Sequence, residues 1–517
     1  MKKLYDYQRR AVNSTKKSNK GIVCMPTGVG KTFCQASMIA RDIQKNKNQF
    51  RLYVVNAPRI LLSYQLLREV YSFLLESNIV ARYSFVHSGT KADETELENI
   101  RLTINEENGF KIGYSDIGAT LNVEGIVSKI ETARQQNLPL ILFSTYNSAE
   151  KIEVARQQTN VEIAMVLNDE AHYLVQERFY DILNTLKSNR CYFFTATMIH
   201  TPSDNGRGMN NEESYGKVLY DMLPVHAIRI GKMVRPRLHF VSTENIYNTD
   251  DYNKSLNKII VDVFEQHTQI LKKTNQTPKL LISTRGTQDI IDFITSNYYT
   301  QLRCKGVEVY VVSSSENVGS QINGEEVRRQ EFLKRLKQDG EDKTKKILVM
   351  HYDILAEGID VSGFTGIMPL RPLSKSKFLQ TYGRAARPDK DDRKTIEKIL
   401  KEKDAGRREM TSADWDKMNK PYAYIIVPNI THTNEDDKEN TIQLITELRH
   451  YGFKPYEDII GTQITKGEID VEEPDIVNEF TGTLKKVGVL IDRLVAELEA
   501  ERLANLSDIE LAKELLK

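Results

Sequence analysis

The stretch Pro26-Thr27-Gly28-Val29-Gly30-Lys31-Thr32 follows an apolar run, Gly21 to Met25, and precedes a helical pattern that begins at Phe33. Glycine at 28 and 30 permits a tight turn that aims backbone N–H groups and a helix N-terminus at one point, which is how a chain cradles phosphate. Lys31 would then meet the β and γ phosphates of ATP, and the Thr32 hydroxyl would be an oxygen ligand for Mg²⁺. Met25 stands where the general G-x-x-x-x-G-K-[ST] pattern opens with glycine. Taken alone, the loop would also suit a small-molecule kinase or a glycine-rich turn with no ligand.

Two further clusters narrow the choice. The apolar run Ile163 to Leu167 ends in Asn168-Asp169-Glu170-Ala171-His172, which puts adjacent carboxylates at the C-terminal edge of a parallel sheet, where α/β folds bind ligands. Asp169 is placed to hold Mg²⁺ through water, Glu170 to orient and deprotonate an attacking water, and His172 to sense the γ phosphate. Later, Gln380-x-x-Gly383-Arg384-x-x-Arg387 falls in a helical pattern over 378–387. Arginines three apart share a helix face and can enter a cleft together. A solvated salt-bridge helix is the plain alternative.

Gly30-Lys31-Thr32, Asp169-Glu170-Ala171-His172, Thr195-Ala196-Thr197 and Gln380-x-x-Gly383-Arg384-x-x-Arg387 stand in the order of the superfamily 2 helicases, and the chain resembles that family from about Leu4 to Pro428. The resemblance implies catalytic roles for Lys31, Asp169, Glu170, His172, Gln380, Arg384 and Arg387. The arginines would act as fingers that reach the γ phosphate when two RecA-like domains close. It also implies an ATP site formed by Gln8, Pro26, Thr27, Gly28, Val29, Gly30, Lys31, Thr32, Gly358 and Asp360, with Gln8 reading the adenine edge and Tyr5 stacking nearby. Thr32 and Asp169 would hold the metal. Leu355 to Asp360 is similar to helicase motif V, with Tyr352 in place of a threonine often found there. Together with Arg371-Pro372 and Tyr215-Gly216, this leans toward restriction-type and repair or phage-type DNA motors. A nucleic-acid strand would cross loops at Pro58, Arg59, Ser88, Gly89, Thr145, Tyr146, Thr284 and Arg285, each of which also reads as an ordinary solvated loop.

The elements that must position these residues are short apolar runs alternating with amphipathic stretches, the pattern of parallel strands joined by crossover helices. Gly21 to Met25, Leu52 to Ala57, Leu140 to Ser144, Ile163 to Leu167 and Cys191 to Phe194 predict a first sheet. Lys279 to Ser283, Val307 to Val312, Lys346 to Met350, Gly366 to Leu370 and Tyr422 to Val427 predict a second. The expected class is α/β, with two tandem RecA-like domains on parallel sheets, 1–230 and 231–430, and an acidic helical C-terminal region, 431–517. Thr201 to Ser214 reads as a surface loop, Arg235-Pro236-Arg237 as the hinge, and Ile476 to Leu516 as amphipathic helix.

The chain has 517 residues, 40% hydrophobic and 28% charged, a globular composition that excludes disordered and collagenous classes. No transmembrane span and no N-terminal apolar region is written in it, which makes the cytoplasm the expected location and a membrane no partner. Cys24, Cys34, Cys191 and Cys304 lack C-x-x-C spacing and read as buried free thiols. The net charge of +1 hides an asymmetry, because acidic residues outnumber basic ones about two to one after residue 430. Only the earlier part is suited to a polyanion. The expected activity is ATP hydrolysis stimulated by DNA, with movement along it and unwinding. A duplex-tracking motor of a restriction or defence complex that does not unwind, an RNA helicase, and an ATP-gated scaffold whose tail recruits a protein partner remain as alternatives.

Overall fold

The computed structural model describes residues 4–87, 119–201, 206–243, 252–401 (except 273, 275, 314, 316, 353–362 and 372–374), 409–430 and 459–464. It contains two compact units. The first takes in Met1–Leu223 together with Ser374–Gly383 from later in the chain, and the second begins at Pro224.

The first unit is built on eight strands: β1 (Lys20–Cys24), β2 (Leu52–Ala57), β3 (Arg82–Val86), β4 (Ala119–Thr120), β5 (Leu140–Thr145), β6 (Ile163–Asn168), β7 (Cys191–Thr195) and β8 (Lys217–Asp221). Their order is β4-β3-β5-β2-β6-β7-β1-β8, and every pairing is parallel. Every residue of β2, β5 and β6 is buried, as expected of parallel strands covered on both faces. Because all eight point the same way, the segments that follow β1, β2, β5, β6 and β7 emerge at one edge of the sheet. The phosphate loop, the acidic box and Thr195-Ala196-Thr197 are three of those segments.

The second unit carries β9 (Arg235–Thr243), β10 (Lys279–Ser283), β11 (Val307–Val312), β12 (Ser320–Ile322), β13 (Glu325–Glu326), β14 (Lys346–His351), β15 (Gly366–Pro369), β16 (Tyr422–Ile430) and β17 (Ile459–Ile464). The order is β13-β12-β11-β14-β10-β15-β16-β9-β17. All ten strands expected from the sequence are present, within a residue or a few at their ends. The expectation of purely parallel sheets fails in this unit: β12 and β13 form an antiparallel hairpin on β11, turned by Asn323 and Gly324 at φ 57° and 85°. Both residues tolerate the left-handed conformation such a turn needs.

Two other expectations are corrected. Arg235-Pro236-Arg237 is not a hinge but the start of β9, a nine-residue strand between β16 and β17. Proline is admissible there because β17 pairs with β9 only from Leu238 onward, so at Pro236 one side of the strand has no ladder to interrupt. Ile459–Ile464, inside the region read as helical, is β17 and belongs to the second sheet. The stretch Ile476 to Leu516 lies outside the described residues. Cys24 and Cys34 are buried, but Cys304 is exposed, against expectation. Among the described residues, no helix is long and apolar enough to cross a membrane.

Candidate ATP site

Helix Lys31–Lys45 starts directly from Gly30, whose φ of 88° is the left-handed conformation that closes the phosphate loop. Glycine is also demanded by space, since a β-carbon at residue 30 would fall 2.5 Å from Gln8 Nε2. Gln8 is buried; its Nε2 donates to Val29 O (3.1 Å) and its Oε1 accepts from Tyr5 N (3.1 Å). Tyr7 OH donates to the same Val29 carbonyl at 2.9 Å. The N-terminal helix Asp6–Ser14 is thereby fastened to the loop. One lone pair on Oε1 and one N–H on Nε2 remain for another partner. Tyr5 is 47% exposed and stacks on Tyr7 with centroids 5.8 Å apart.

Lys31 is buried, with Nζ 3.3 Å from Met25 O and 4.0 Å from Glu170 Oε1. Glu170 itself has φ 48° and ψ 48°, a left-handed backbone that costs a non-glycine residue on the order of 1 kcal/mol or more. Asp169 is buried and accepts from Gln35 Nε2 at 2.8 Å. Gln35 follows Lys31 by four residues, so both side chains lie on one helix face; that spacing could have revealed Gln35 as a site residue in the sequence. Burial, and then the neighbouring Glu170 carboxylate, push the Asp169 carboxyl up to about 7. Glu170 Oε2 is buried and accepts no hydrogen bond. Two crowded carboxylates, one with an unsatisfied oxygen, are hard-oxygen donors of the kind Mg²⁺ takes.

Three network contacts hold the acidic box in place. Asp169 N donates to Asn56 O (2.9 Å), Asn56 Nδ2 to Asn168 Oδ1 (2.9 Å), and Tyr146 OH to Asp169 O (2.6 Å). His172 is buried, which lowers its pKa, so the ring is neutral near pH 7. Gln380 Nε2 lies 3.1 Å from His172 Nε2, and Thr195 Oγ1 lies 3.2 Å from His172 Nδ1. With the amide donating to Nε2, the ring proton sits on Nδ1 and points to Thr195 Oγ1, which in turn donates to Thr197 O at 2.7 Å. Gly383, in the same Ser374–Gly383 segment, approaches Thr27 so closely that a β-carbon there would fall 1.9 Å from Thr27 Oγ1.

Residues 1–200 match the family model described as type III restriction enzyme, res subunit. The structure is similar to that of the ATP-dependent type ISP restriction-modification enzyme LlaBIII bound to DNA, with a TM-score of 0.64 at 17% identity, over 95% of this chain and 33% of that one. A nuclease-deletion mutant of the type ISP enzyme LlaGI in complex with a DNA substrate mimic aligns with a TM-score of 0.55 at 17% identity, over 95% and 31%. A fragment of a putative HsdR subunit of a type I restriction enzyme from Vibrio vulnificus YJ016 aligns with a TM-score of 0.53 at 16% identity, over 90% and 70%. Over most of its length the chain has the fold of these restriction-enzyme structures. It spans about a third of the length of the two type ISP enzymes. No curated protein matches it.

The remaining residues expected from the superfamily 2 pattern divide clearly. Ser88, Gly89, Gly358 and Asp360 lie outside the described residues. Tyr146 is 1% exposed and bound to the Asp169 carbonyl, so its ring is a support for the acidic box and not a surface for nucleic acid. Thr145 and Thr284 are buried, with their hydroxyls on Ser148 Oγ (3.1 Å) and His351 O (3.1 Å). Arg285 is held by Asp289 through a pair of hydrogen bonds at 2.6 and 3.1 Å. Pro58 and Arg59 are the loop after β2, with Arg59 exposed. In the second unit, Arg384 and Arg387 are half-buried, at and just beyond the end of helix Lys375–Ala385.

Proposed function

We propose that the chain is a DNA-dependent ATPase that converts hydrolysis into movement along DNA. The observation that carries this reading is the approach of Lys31 Nζ to within 4.0 Å of Glu170 Oε1, with Asp169 beside it, at the edge where β1 and β6 of one parallel sheet end. That arrangement puts a phosphate-binding cation against a carboxylate able to manage a water. The Gly28–Thr32 backbone and Lys31 would bind the β and γ phosphates, while Gln8, with Tyr5 alongside, would use its remaining donor and acceptor on adenine. Thr32 and Asp169 would hold Mg²⁺, which when bound neutralises phosphate charge. Glu170 would orient a water in line with the γ phosphate and take its proton as the β–γ bridging bond breaks, leaving ADP and phosphate. Arg384 and Arg387 would be the fingers that offset charge on the transferring phosphoryl.

His172 would report the γ phosphate through Gln380 and Thr195, and cycles of domain closure would become steps. Pro58 and Arg59 would make backbone contacts with a strand. The likeness to restriction enzymes, two of them solved with DNA or a DNA substrate mimic, favours DNA over RNA. Tracking along a duplex without unwinding is a second reading, which strand displacement of a labelled duplex separates from movement with unwinding.

The decisive measurement is ATP turnover with single-stranded DNA, duplex, forked DNA and RNA. Stimulation by DNA is expected, abolished by Lys31→Ala. Glu170→Gln should still bind ATP while turnover falls roughly 10²-fold or more. If no polynucleotide raises turnover, the motor reading is wrong.

A further inference from the structure

A helix end leaves carbonyls without intrahelical partners, and buried ones must find donors elsewhere. Helix Lys375–Ala385 ends one residue after Arg384, and its last carbonyl and the two that follow meet an external clamp. Lys420 Nζ donates to Ala385 O (2.5 Å) and to Arg387 O (2.8 Å), while Val234 N donates to Ala386 O (2.8 Å). Three consecutive backbone oxygens, spanning the segment between and beneath the two arginines, are therefore fixed from outside. Lys420 is 4% exposed. A lysine is almost never buried to that degree unless its donors are engaged, because desolvating the ammonium is costly.

The lysine is held from its own side as well. Asp392, in helix Lys390–Lys401, accepts from Asn419 N (2.8 Å), Asn419 Nδ2 (3.0 Å) and Lys420 N (2.8 Å). The loop that delivers the ammonium is thus pinned by one carboxylate. A cation at this place also meets the negative end of the helix dipole, which opposes the cost of its burial. None of these groups belongs to the phosphate loop or the acidic box.

We propose that Lys420 is a positioning residue for Arg387, fixing the backbone from which its guanidinium group projects. The inference rests on the reading that this arginine acts on the phosphates of ATP. Its physical basis is that phosphoryl transfer depends on placement, and a displacement of about 1 Å can cost on the order of 10²-fold in rate. Arginine side chains are long, so their reach is only as well defined as the backbone beneath them.

The test uses the full chain with Lys420→Met, which keeps the stem and removes the donors, and with Asp392→Asn, which loosens the loop without altering the lysine side chain. Turnover with saturating DNA, KM for ATP and the melting midpoint are measured for each, alone and with Arg387→Ala. Lys420→Met is expected to lower kcat about 10-fold or more with KM nearly unchanged, Asp392→Asn to lower it in the same direction, and neither to lower it further in the Arg387→Ala background. If Lys420→Met does not fold, Asp392→Asn carries the comparison. Should Arg387→Ala lower kcat while both clamp variants leave it intact, or should the effects multiply, the positioning role is overturned and the motor reading stands. Should Arg387→Ala itself have no effect, the arginine-finger reading fails and takes the proposal with it.

Discussion

At the residue scale, the link between the acidic box and the Ser374–Gly383 segment is a short relay rather than a single group. His172 touches Gln380 on one ring nitrogen and Thr195 on the other, and burial keeps it neutral, so Nε2 can accept. Protonation would turn Nε2 into a donor facing another donor. A relay of this kind has one consequence for mutants: once either member is gone, removing the other costs little more. Gln380→Ala and His172→Ala should each reduce DNA-stimulated turnover, and the double variant should be no slower than the worse single one. The coupling energy expected from a double-mutant cycle is roughly 0.5–3 kcal/mol. Effects that simply multiply would mean that the two side chains act independently.

At the scale of elements, the sequence was most legible where a strand is an unbroken apolar run. Leu52–Ala57, Lys279–Ser283 and Val307–Val312 coincide with their expected bounds, because a parallel strand buried on both faces leaves little polar interruption. The phosphate loop and acidic box were equally legible, since their backbone demands fix residue type at fixed spacing. Strands with charged or broken patterns escaped: β8 is largely exposed, β9 carries Pro236, and β17 sits within a charged, acidic stretch. The supporting residue Asn56 escaped for a different reason, because a buried amide on a strand is recognisable only when its partner is known, whereas Gln35 could have been found from its spacing to Lys31. β17 also bears a prediction. It covers the open side of β9 along Leu238–Thr243, and uncovering those backbone groups removes ladder bonds and creates an edge prone to pairing with other chains. A chain cut after Ile430 should melt several degrees lower in the second unit, at roughly 2–4 °C per kcal/mol lost, and should aggregate on heating. A chain cut after Ile464 should not. Equal midpoints for the two truncations would show that β17 contributes nothing to the sheet.

At the scale of the whole molecule, acid should act on the second unit through groups buried in its own core. His239 and His267 are completely buried there. Burial pushes His239 down to about 4, while burial and the neighbouring His239 push His267 down to about 3. His267 Nε2 pairs with Thr365 Oγ1 at 2.8 Å, and its ring packs edge-on against Tyr424 at 5.2 Å. An unfolded histidine titrates near 6.5. Above that pH neither state binds the proton and stability is full; as pH falls toward 4 and 3, the unfolded chain takes up protons that the folded unit excludes, so stability is lost. By pH 5 the difference amounts to about 2 kcal/mol per histidine. His267→Gln keeps a polar partner for Thr365 but cannot titrate. Hydrogen exchange of β9 and β10 amides, compared at pH 7.5 and 5.0 after correction for the intrinsic rate, should show the unaltered chain losing about 2 kcal/mol more protection than the variant. If both lose the same amount, the buried imidazoles are not what makes the second unit acid-sensitive.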